Sequence, residues 1–415
     1  MSLFSTFRKN FFMNTPFLYF TMIILGIACG FSNNIMLQDF AQFISDIFIK
    51  IFKCISLPII ALSLIVTLSS HKADQSSKKI WQRTIFYTIT TTILAATVSC
   101  ILYLIVKPSN IQILSAKGAL PKTDDISYLE HLSNIIPSSI LSPFLNQQVI
   151  SVLFIGIITG IAIRFIPEPE SKKTILNFFQ GAHSLFLVIT KWIIKIIPLG
   201  LFGFISVTVT QIQSGMEFAG IGEYIAIIVL ANLIQGFVIL PVWLKSNGIP
   251  PFKTMKAMLP ALSLAFFTKS SAGTLPVTIE TAEKNANVNP KVSRLVLPLC
   301  TTINMNGCAA FIFTTVLFLM QNHGMEISIG TMILWIFIST IAAVGNAGVP
   351  MGCFFLSASL LASMNVPIAL LGIIIPFYGV IDMIETSLNV WSDSCVAKVV
   401  NTKMEKDVLL TTEAS

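Results

Sequence analysis

Residues 268–276 read TKSSAGTLP, and this polar, helix-breaking stretch lies inside an apolar segment at 257–279. Such a composition does not suit a helix that faces lipid, because freed backbone groups find no partners there. A full crossing would also put the next loop, with Lys284, Lys291 and Arg294, on the side that basic loops avoid. The stretch therefore predicts a re-entrant hairpin whose polar tip lies within the protein.

A second interrupted segment lies at 328–364, where residues 345–352 read GNAGVPMG. Glycine and proline in the middle of a segment again argue against a continuous helix. The preceding loop at 321–326 has no Lys or Arg, so it suits the outer side, and this hairpin enters opposite to the first. Two opposed, interrupted hairpins indicate a secondary transporter built on inverted repeats, with its site near the membrane midplane.

The composition independently places the chain in a membrane. Hydrophobic residues make up 54% of the 415 residues and charged residues 11%, whereas soluble domains have about 25% charged residues. Ahead of the first hairpin, the apolar spans long enough to cross a bilayer lie near residues 12–31, 43–69, 80–106, 147–166, 182–210 and 222–246. Basic residues cluster in alternate connections, which predicts a cytoplasmic N-terminus. The net charge of +7 is explained by this topology, so no nucleic-acid partner is expected.

The sequence contains no motif of an enzyme or a metal site. Its seven cysteines include no C-x-x-C pair, which argues against a disulfide framework or a zinc site and predicts small core residues. Its four histidines form no H-x-x-x-H pattern. Walker, H-E-x-x-H and nucleophile-elbow motifs are absent as well. We therefore expect neither an enzyme nor a bound cofactor.

The last apolar segment carries several polar side chains on one helix face. Successive residues turn by about 100° in a helix, which brings five of them into one narrow sector: Asp382, Glu385, Thr386, Asn389 and Asp393. Ionisable groups at membrane depth are costly and mark functional sites. The stripe is therefore predicted to bind the transported solute, although Asp393 also suits a helix end that meets water.

The preceding apolar helix, at 292–320, contains Asn304 and Asn306, two residues apart. These side chains cannot share one face of a regular helix. We expect the helix to unwind there and to free carbonyl oxygens for a cation. Hydrogen bonds from asparagine to neighbouring helices are the alternative.

Four motifs in order make the chain resemble the dicarboxylate/amino acid:cation symporter family, the glutamate and neutral amino acid transporters. They are the serine-rich tip at 270–276, NMNGC at 304–308, AGVP at 347–350 and DMIETSLNVWSD at 382–393. The resemblance implies an all-α integral membrane protein with eight transmembrane helices, two opposed re-entrant hairpins and an elevator mechanism. It also implies a homotrimer in the bacterial cytoplasmic (inner) membrane, with both termini cytoplasmic.

The same resemblance divides the chain into scaffold and transport parts. The expected boundaries are 1–70 for scaffold helices one and two, 71–106 for the third helix in the transport domain, 107–181 for an external loop and the fourth helix, 182–256 for helices five and six, 257–400 for the transport core and 401–415 for a cytoplasmic tail.

The resemblance further implies a pocket for an amino acid. Asp382 is expected to bind the amino group, and Asn389 the carboxylate, together with backbone amides near Ser271 and Ala272; these pairings suit the charges involved. The other implied pocket residues, for most of which packing is the alternative, are Ser270, Cys308, Gly348, Val349, Glu385 and Thr386.

Sodium ions are the implied coupling ions, with three sets of ligands. The first set is Cys300, Asn304, Asn389 and Asp393. The second set consists of carbonyl oxygens around Thr302, Met305, Val344 and Asn346. The third set is Tyr87, Thr90, Thr91 and Asn306. Because the family has aspartate where Asn306 stands, both a smaller number of sodium ions and proton coupling remain open.

Glu385 occupies the position where family members for acidic substrates have arginine. Two carboxylates about 4 Å apart repel by about 4 kcal/mol, close to a thousandfold in affinity, which disfavours acidic amino acids and C4-dicarboxylates. If Lys269 pairs with Glu385, a neutral amino acid is expected, and this is the class we favour. If Lys269 points elsewhere, a cationic substrate fits. A passive solute channel lined by the same stripe is the alternative from another class.

Overall fold

The computed structural model describes residues 15–32, 34–69, 75–110, 136–146, 149–213, 219–346, 351–364, 366 and 369–413. Within these ranges the regular structure is helical throughout, with no strand. The helices are α1 (Thr15–Phe31), α2 (Ile35–Ser69), α3 (Gln75–Val106), α4 (Ser142–Leu145), α5 (Val149–Arg164), α6 (Pro169–Gln213), α7 (Ala219–Ile234), α8 (Leu240–Ser246), α9 (Pro251–Thr268), α10 (Ser271–Lys284), α11 (Pro290–Ile303), α12 (Asn306–Asn322), α13 (Ile329–Val344), α14 (Gly352–Ser363) and α15 (Ala369–Glu413); a π-helical segment, Gln235–Ile239, joins α7 to α8.

Helices α1, α2, α5 and α6 form one packed group. Helix α6 packs along both α1 and α2, and α5 packs along α2. Close approach depends on small residues, as is usual between membrane helices. A Cβ added to Gly203 of α6 would lie 2.8 Å from the carbonyl oxygen of Ala41 in α2. These two helices therefore touch through their backbones.

Helix α6 is longer than the apolar span predicted at 182–210. It begins at Pro169, and its segments Pro169–Thr190 and Lys195–Val207 are bent by 52°. Pro198 follows the bend by about one turn, and proline both lacks the N–H of the helical ladder and crowds the preceding turn. The charged first part of α6 and its apolar second part thus run in different directions.

Three helical stretches are long and apolar enough to cross a membrane: Lys79–Val106, Gly220–Ser246 and Pro290–Asn322. The bent pair in α6 makes a fourth when it is counted as one span. This test uses length and composition alone, over the ranges given above. The number of eight crossings implied by the resemblance is therefore still a prediction.

Both interrupted segments fold as pairs of helices. In the first, α9 and α10 pack together and only Lys269 and Ser270 separate them. The break is shorter than the polar stretch suggested, because the remaining residues of that stretch continue α10. Lys269 has a left-handed backbone (φ 53°), and Ser270 Oγ accepts the Gly273 N–H at 3.1 Å and caps α10.

The second interrupted segment is formed by α13, which ends at Val344, and α14, which begins at Gly352. Residues 347–350 lie outside the described residues, and the predicted site residues Gly348 and Val349 are among them.

The predicted unwinding between the two asparagines is confirmed. Helix α11 ends at Ile303, α12 begins at Asn306, and Asn304 and Met305 connect them. Every side chain of α12 from Asn306 to Met320 is buried. Helices α3, α13, α14 and α15 pack around α12, so the break lies deep in the protein.

Candidate functional site

A small pocket lies where the first hairpin, the break between α11 and α12, and the second hairpin meet α15. Its lining residues are Lys269, Ser271, Met305, Asn346, Cys353, Asp382, Glu385, Thr386 and Asn389. Four of the five residues of the predicted polar stripe are among them. The inference that one face of the last helix points into a site is thus supported by the geometry of the chain itself.

The carboxylate of Asp382 lies between the two hairpins. Its Oδ2 accepts the backbone N–H of Met351, at the second hairpin, at 3.3 Å. Lys269, at the tip of the first hairpin, is close enough to act on Asp382 electrostatically. Asp382 is 5% exposed and lines the pocket, so its carboxyl group faces the pocket and not bulk water.

Asn389 lies two turns beyond Asp382 on the same face of α15. Its Oδ1 accepts the backbone N–H of Gly307 at 2.9 Å. Because a backbone N–H can only donate, this bond fixes the orientation of the amide. The NH₂ group of Asn389 is left to donate, and the N-terminus of α10 at Ser271 lies on the same pocket. Both groups are complementary to an anion.

Glu385 is the most deeply buried of the acidic residues in the pocket, at 1% exposed. Its Oε2 accepts the hydroxyl of Tyr378 at 3.4 Å, while its Oε1 has no hydrogen-bond partner among the described residues. No ion pair joins it to Lys269, whose charge acts on Asp382 instead. A buried acceptor without a donor is costly, so Glu385 is a group that a ligand can satisfy.

Asp393 lies deeper along α15, behind the pocket, and is 1% exposed. Its Oδ1 accepts the amide N–H of Asn304 at 2.9 Å. The same amide donates to Ser392 Oγ at 2.9 Å, and Thr91 Oγ1 of α3 donates to Asn304 Oδ1 at 3.1 Å. The break in the helix is therefore tied to both α3 and α15.

The sequence of the chain matches a known family. The model of the sodium:dicarboxylate symporter family matches residues 17–403. The chain belongs to this family. Membership confirms the resemblance inferred from the four motifs, and with the apolar helices it makes this sodium:dicarboxylate symporter family protein a multi-pass membrane protein.

Curated relatives of this family member extend over nearly its whole length. The proton/sodium-glutamate symport protein of Geobacillus stearothermophilus is 28% identical, over 92% of this chain and 92% of its own. The neutral amino acid transporter B(0) of Oryctolagus cuniculus is 25% identical, over 90% of this chain and 76% of its own. Excitatory amino acid transporter 2 of Homo sapiens is 25% identical, over 91% and 77%.

The remaining predicted ligands of this family member lie at varying distance from the pocket. The backbone carbonyl of the buried Cys300 accepts a hydrogen bond from the backbone N–H of Asn304 at 2.8 Å. The hydroxyl of Thr302 donates a hydrogen bond to the backbone carbonyl of Leu299. Asn346 lies beside Met305, with Nδ2 3.8 Å from Sδ. These groups lie beside the break between α11 and α12.

Four more of the predicted residues do not line the pocket. Thr90 donates to the carbonyl of Phe86 in its own helix at 2.7 Å, and Tyr87 packs its ring against Trp243, with centroids 5.5 Å apart. Ser270 caps α10, and Ala272 is exposed and does not line the pocket.

The structure corrects the prediction for two of the cysteines. Cys308, in the first turn of α12, and Cys353, in the first turn of α14, are joined as a disulfide, with Cα atoms 5.3 Å apart. They are 45 residues apart in the sequence, so no local spacing could reveal the pair. Cys353 lines the pocket, and the pair therefore ties the second hairpin to the broken helix beside the site.

Sequence reasoning missed Gln235 and Ser392. Ser392 adjoins Asp393, and the ionisable residues of this helix gave the stronger signal in the sequence. Gln235 lies in the middle of an apolar span, and the signal available for it was Pro241, because proline inside a helix disturbs the preceding turn.

Gly307 is the contact point between the broken helix and α15, which leads to a test. A Cβ at this position would lie 2.8 Å from Glu385 Cα and 2.9 Å from Asn232 Oδ1. We expect Gly307→Ala to push α12 away from α15 and to lower the melting temperature of the purified protein by several degrees. The corresponding loss of stability from overpacking is about 1–3 kcal/mol. Gly379→Ala is the control, because a Cβ there meets nothing within 4 Å. Equal melting temperatures for the two variants would contradict the packing described here.

Proposed function

We propose that this protein is a secondary active symporter that couples sodium influx to the uptake of an amino acid. The observation that carries the proposal is the pocket that brings Asp382 and Asn389 together with the N-terminus of α10 at Ser271. A carboxylate on one side, and an amide with free helix N–H groups on the other, complement the ammonium and carboxylate groups that all amino acids share. Such a site binds and releases a solute, and no catalytic step is needed.

Sodium is proposed as the coupling ion. Asp393 is buried, its Oδ1 accepts a hydrogen bond from the amide of Asn304, and no ion pair joins it to a cationic side chain among the described residues. Oxygen-rich surroundings of this kind suit a hard cation. The family and the printed names of its members, which include a proton/sodium-glutamate symport protein, support the same ion. Protons remain the alternative ion, and the experiment below separates them.

Two sodium sites are proposed from the first two predicted ligand sets. One uses Asn389 and Asp393 with oxygen atoms of Asn304 and Cys300. The other uses carbonyl oxygens near Thr302 and Met305, together with the end of α13 at Val344 and Asn346. Their support is the freed backbone at the break, which lies next to the pocket.

The substrate's side chain is proposed to donate a hydrogen bond to Glu385. A neutral amino acid with a hydroxyl or amide group is the first candidate. A cationic amino acid is the second, and one observation favours it: no cationic side chain among the described residues forms an ion pair with Glu385, and its Oε1 accepts no hydrogen bond from them, so a donor on the substrate can reach it. Acidic amino acids come last because their carboxylates would face Glu385.

The test is uptake into liposomes that contain the purified protein. We expect labelled serine, glutamine or lysine to accumulate when a sodium gradient is imposed, and not when potassium or choline replaces sodium. A proton gradient alone should drive no uptake. Preloading with unlabelled substrate should speed the influx of labelled substrate, as in a carrier, whereas a channel shows no such exchange. Absence of gradient-driven uptake for all twenty amino acids would overturn the proposal.

The wider architecture is proposed to follow the family. The group formed by α1, α2, α5 and α6 would be the scaffold, and α3, the hairpins and α11 to α15 the moving transport domain. The packing of helices into these two groups supports this division. A homotrimer, an elevator movement and a bacterial inner-membrane location are proposed with it on the basis of family membership. Cytoplasmic termini are proposed as well, supported by the alternation of basic and uncharged connections.

A further inference from the structure

Gln235 is a fully buried side chain that faces the broken helix from an irregular segment. It begins the π-helical segment Gln235–Ile239, which precedes Pro241, a residue without a backbone N–H. The wider turn also frees the carbonyl of Gly236, which accepts the indole N–H of Trp391 at 3.1 Å. Single π turns of this kind are common at functional sites. Here the turn directs an amide side chain into the protein.

The orientation of that amide is fixed by a main-chain carbonyl group, which can only accept a hydrogen bond. Gln235 Nε2 donates to the main-chain carbonyl of Thr91 at 3.0 Å, so this end of the side chain must be the NH₂ group. The same NH₂ group donates to Asn306 Oδ1 at 2.7 Å. The carbonyl end of Asn306 therefore faces Gln235, and its NH₂ group must face the other way.

The opposite side of the network fixes the same orientation independently. Asn304 Nδ2 donates to the carboxylate of Asp393 at 2.9 Å, which leaves Asn304 Oδ1 as an acceptor. Asn306 Nδ2 donates to this oxygen at 2.9 Å and to Ser392 Oγ at 2.9 Å. Thr91 Oγ1 lies 3.4 Å from the same nitrogen. Three oxygen atoms from three different elements thus converge on one NH₂ group.

We propose that the NH₂ group of Asn306, oriented by Gln235, occupies the space between Asn304 Oδ1, Ser392 Oγ and Thr91 Oγ1, where a coupling cation would otherwise bind. Carboxamide and hydroxyl oxygens are the ligands that a hard cation prefers, and here they already accept hydrogen bonds from a neutral donor. Aspartate at 306 would replace that donor with a fourth oxygen ligand and supply a negative charge. The inference deepens the proposed function: the present protein couples one sodium ion fewer than its Asn306→Asp variant.

The test measures sodium binding by the full-length protein in detergent, without a substrate. Melting temperature is followed while sodium chloride replaces choline chloride at constant ionic strength. Stabilisation by a ligand grows with the logarithm of its concentration, in proportion to the number of ions bound. We expect Asn306→Asp to melt at a lower temperature than wild type without sodium, and its sodium dependence to be steeper by about one ion. Equal slopes for the two proteins would overturn the inference.

Thr91→Val provides a second arm, and its measurement in the wild-type background does not depend on the folding of Asn306→Asp. Valine keeps the shape of threonine but removes the hydroxyl. In the wild-type background the slope should stay unchanged, because no cation uses that oxygen; in the Asn306→Asp background it should fall. A fall in the wild-type background would show that Thr91 already binds sodium and would overturn the inference. A wild type without any sodium response would contradict the proposed coupling, while the difference between the two backgrounds still decides the role of Asn306.

Discussion

Asp382→Asn should lower sodium-driven accumulation of the amino acid by about a hundredfold, because it should cost about 3 kcal/mol of the binding free energy of the substrate. Asparagine keeps the size of the side chain and can still accept the N–H of Met351. It removes the negative charge that an ammonium group would meet between the hairpins. The loss should appear in initial uptake rates measured over a range of substrate concentrations in liposomes. It should also leave Lys269 without its neighbouring anion.

A matched control separates this effect from a general loss of negative charge. Asp46 lies on α2, is exposed, and accepts a hydrogen bond from Gln42 at 2.9 Å. Asp46→Asn makes the same chemical change far from the pocket and should transport like wild type. If Asp382→Asn also transports like wild type, the pocket does not bind the substrate's amino group.

The features that could be predicted from sequence are those with a local cause. Lys269, Ser270 and their neighbours interrupt an apolar run, and the structure breaks the helix at that point. Asn304 and Asn306 cannot share one face of a helix, and the helix unwinds between them. The stripe from Asp382 to Asn389 follows from helical periodicity alone. In each case the necessary information lies within one or two turns of the chain.

The features that could not be predicted depend on contacts between distant segments. Gln235 reaches Asn306 only because a π-helical segment and α12 lie side by side. Cys308 and Cys353 meet only because α12 packs against α14. Whether Lys269 pairs with Glu385 or points elsewhere was likewise open from the sequence, and only the fold of the hairpin tip brings its charge near Asp382. Motif order identified the family, but these pairings required coordinates.

The two carboxyl groups of the pocket have different surroundings, and this difference bears on selectivity. Asp382 receives a backbone N–H and the nearby charge of Lys269. Glu385 receives only the hydroxyl of Tyr378, and one of its oxygens has no partner among the described residues. Under the proposed function, Asp382 would bind the amino group that all amino acids share. Glu385 would then contact the side chain that distinguishes one amino acid from another.

Glu385→Arg should shift the preference of the transporter toward aspartate and glutamate by up to about a thousandfold, because it removes a repulsion of about 4 kcal/mol between two carboxylates. Serine, glutamine and lysine should lose affinity, since their donor groups would face a guanidinium. The measurement is competition of each unlabelled amino acid against labelled substrate in liposomes. Glu385→Gln should fall between the two, because it removes the repulsion and adds no positive charge.

Glu326→Arg makes the same change of charge on an exposed loop residue and should leave the order of preference unaltered. If Glu385→Arg folds, binds sodium and retains the wild-type order of preference, then Glu385 does not face the substrate's side chain. Its unpaired oxygen would then have to be satisfied by water or by a proton. The pattern of competition across the three variants thus tests the assignment of Glu385 separately from that of Asp382, because the proposed contact of Asp382 is with the amino group, which all the competing amino acids share.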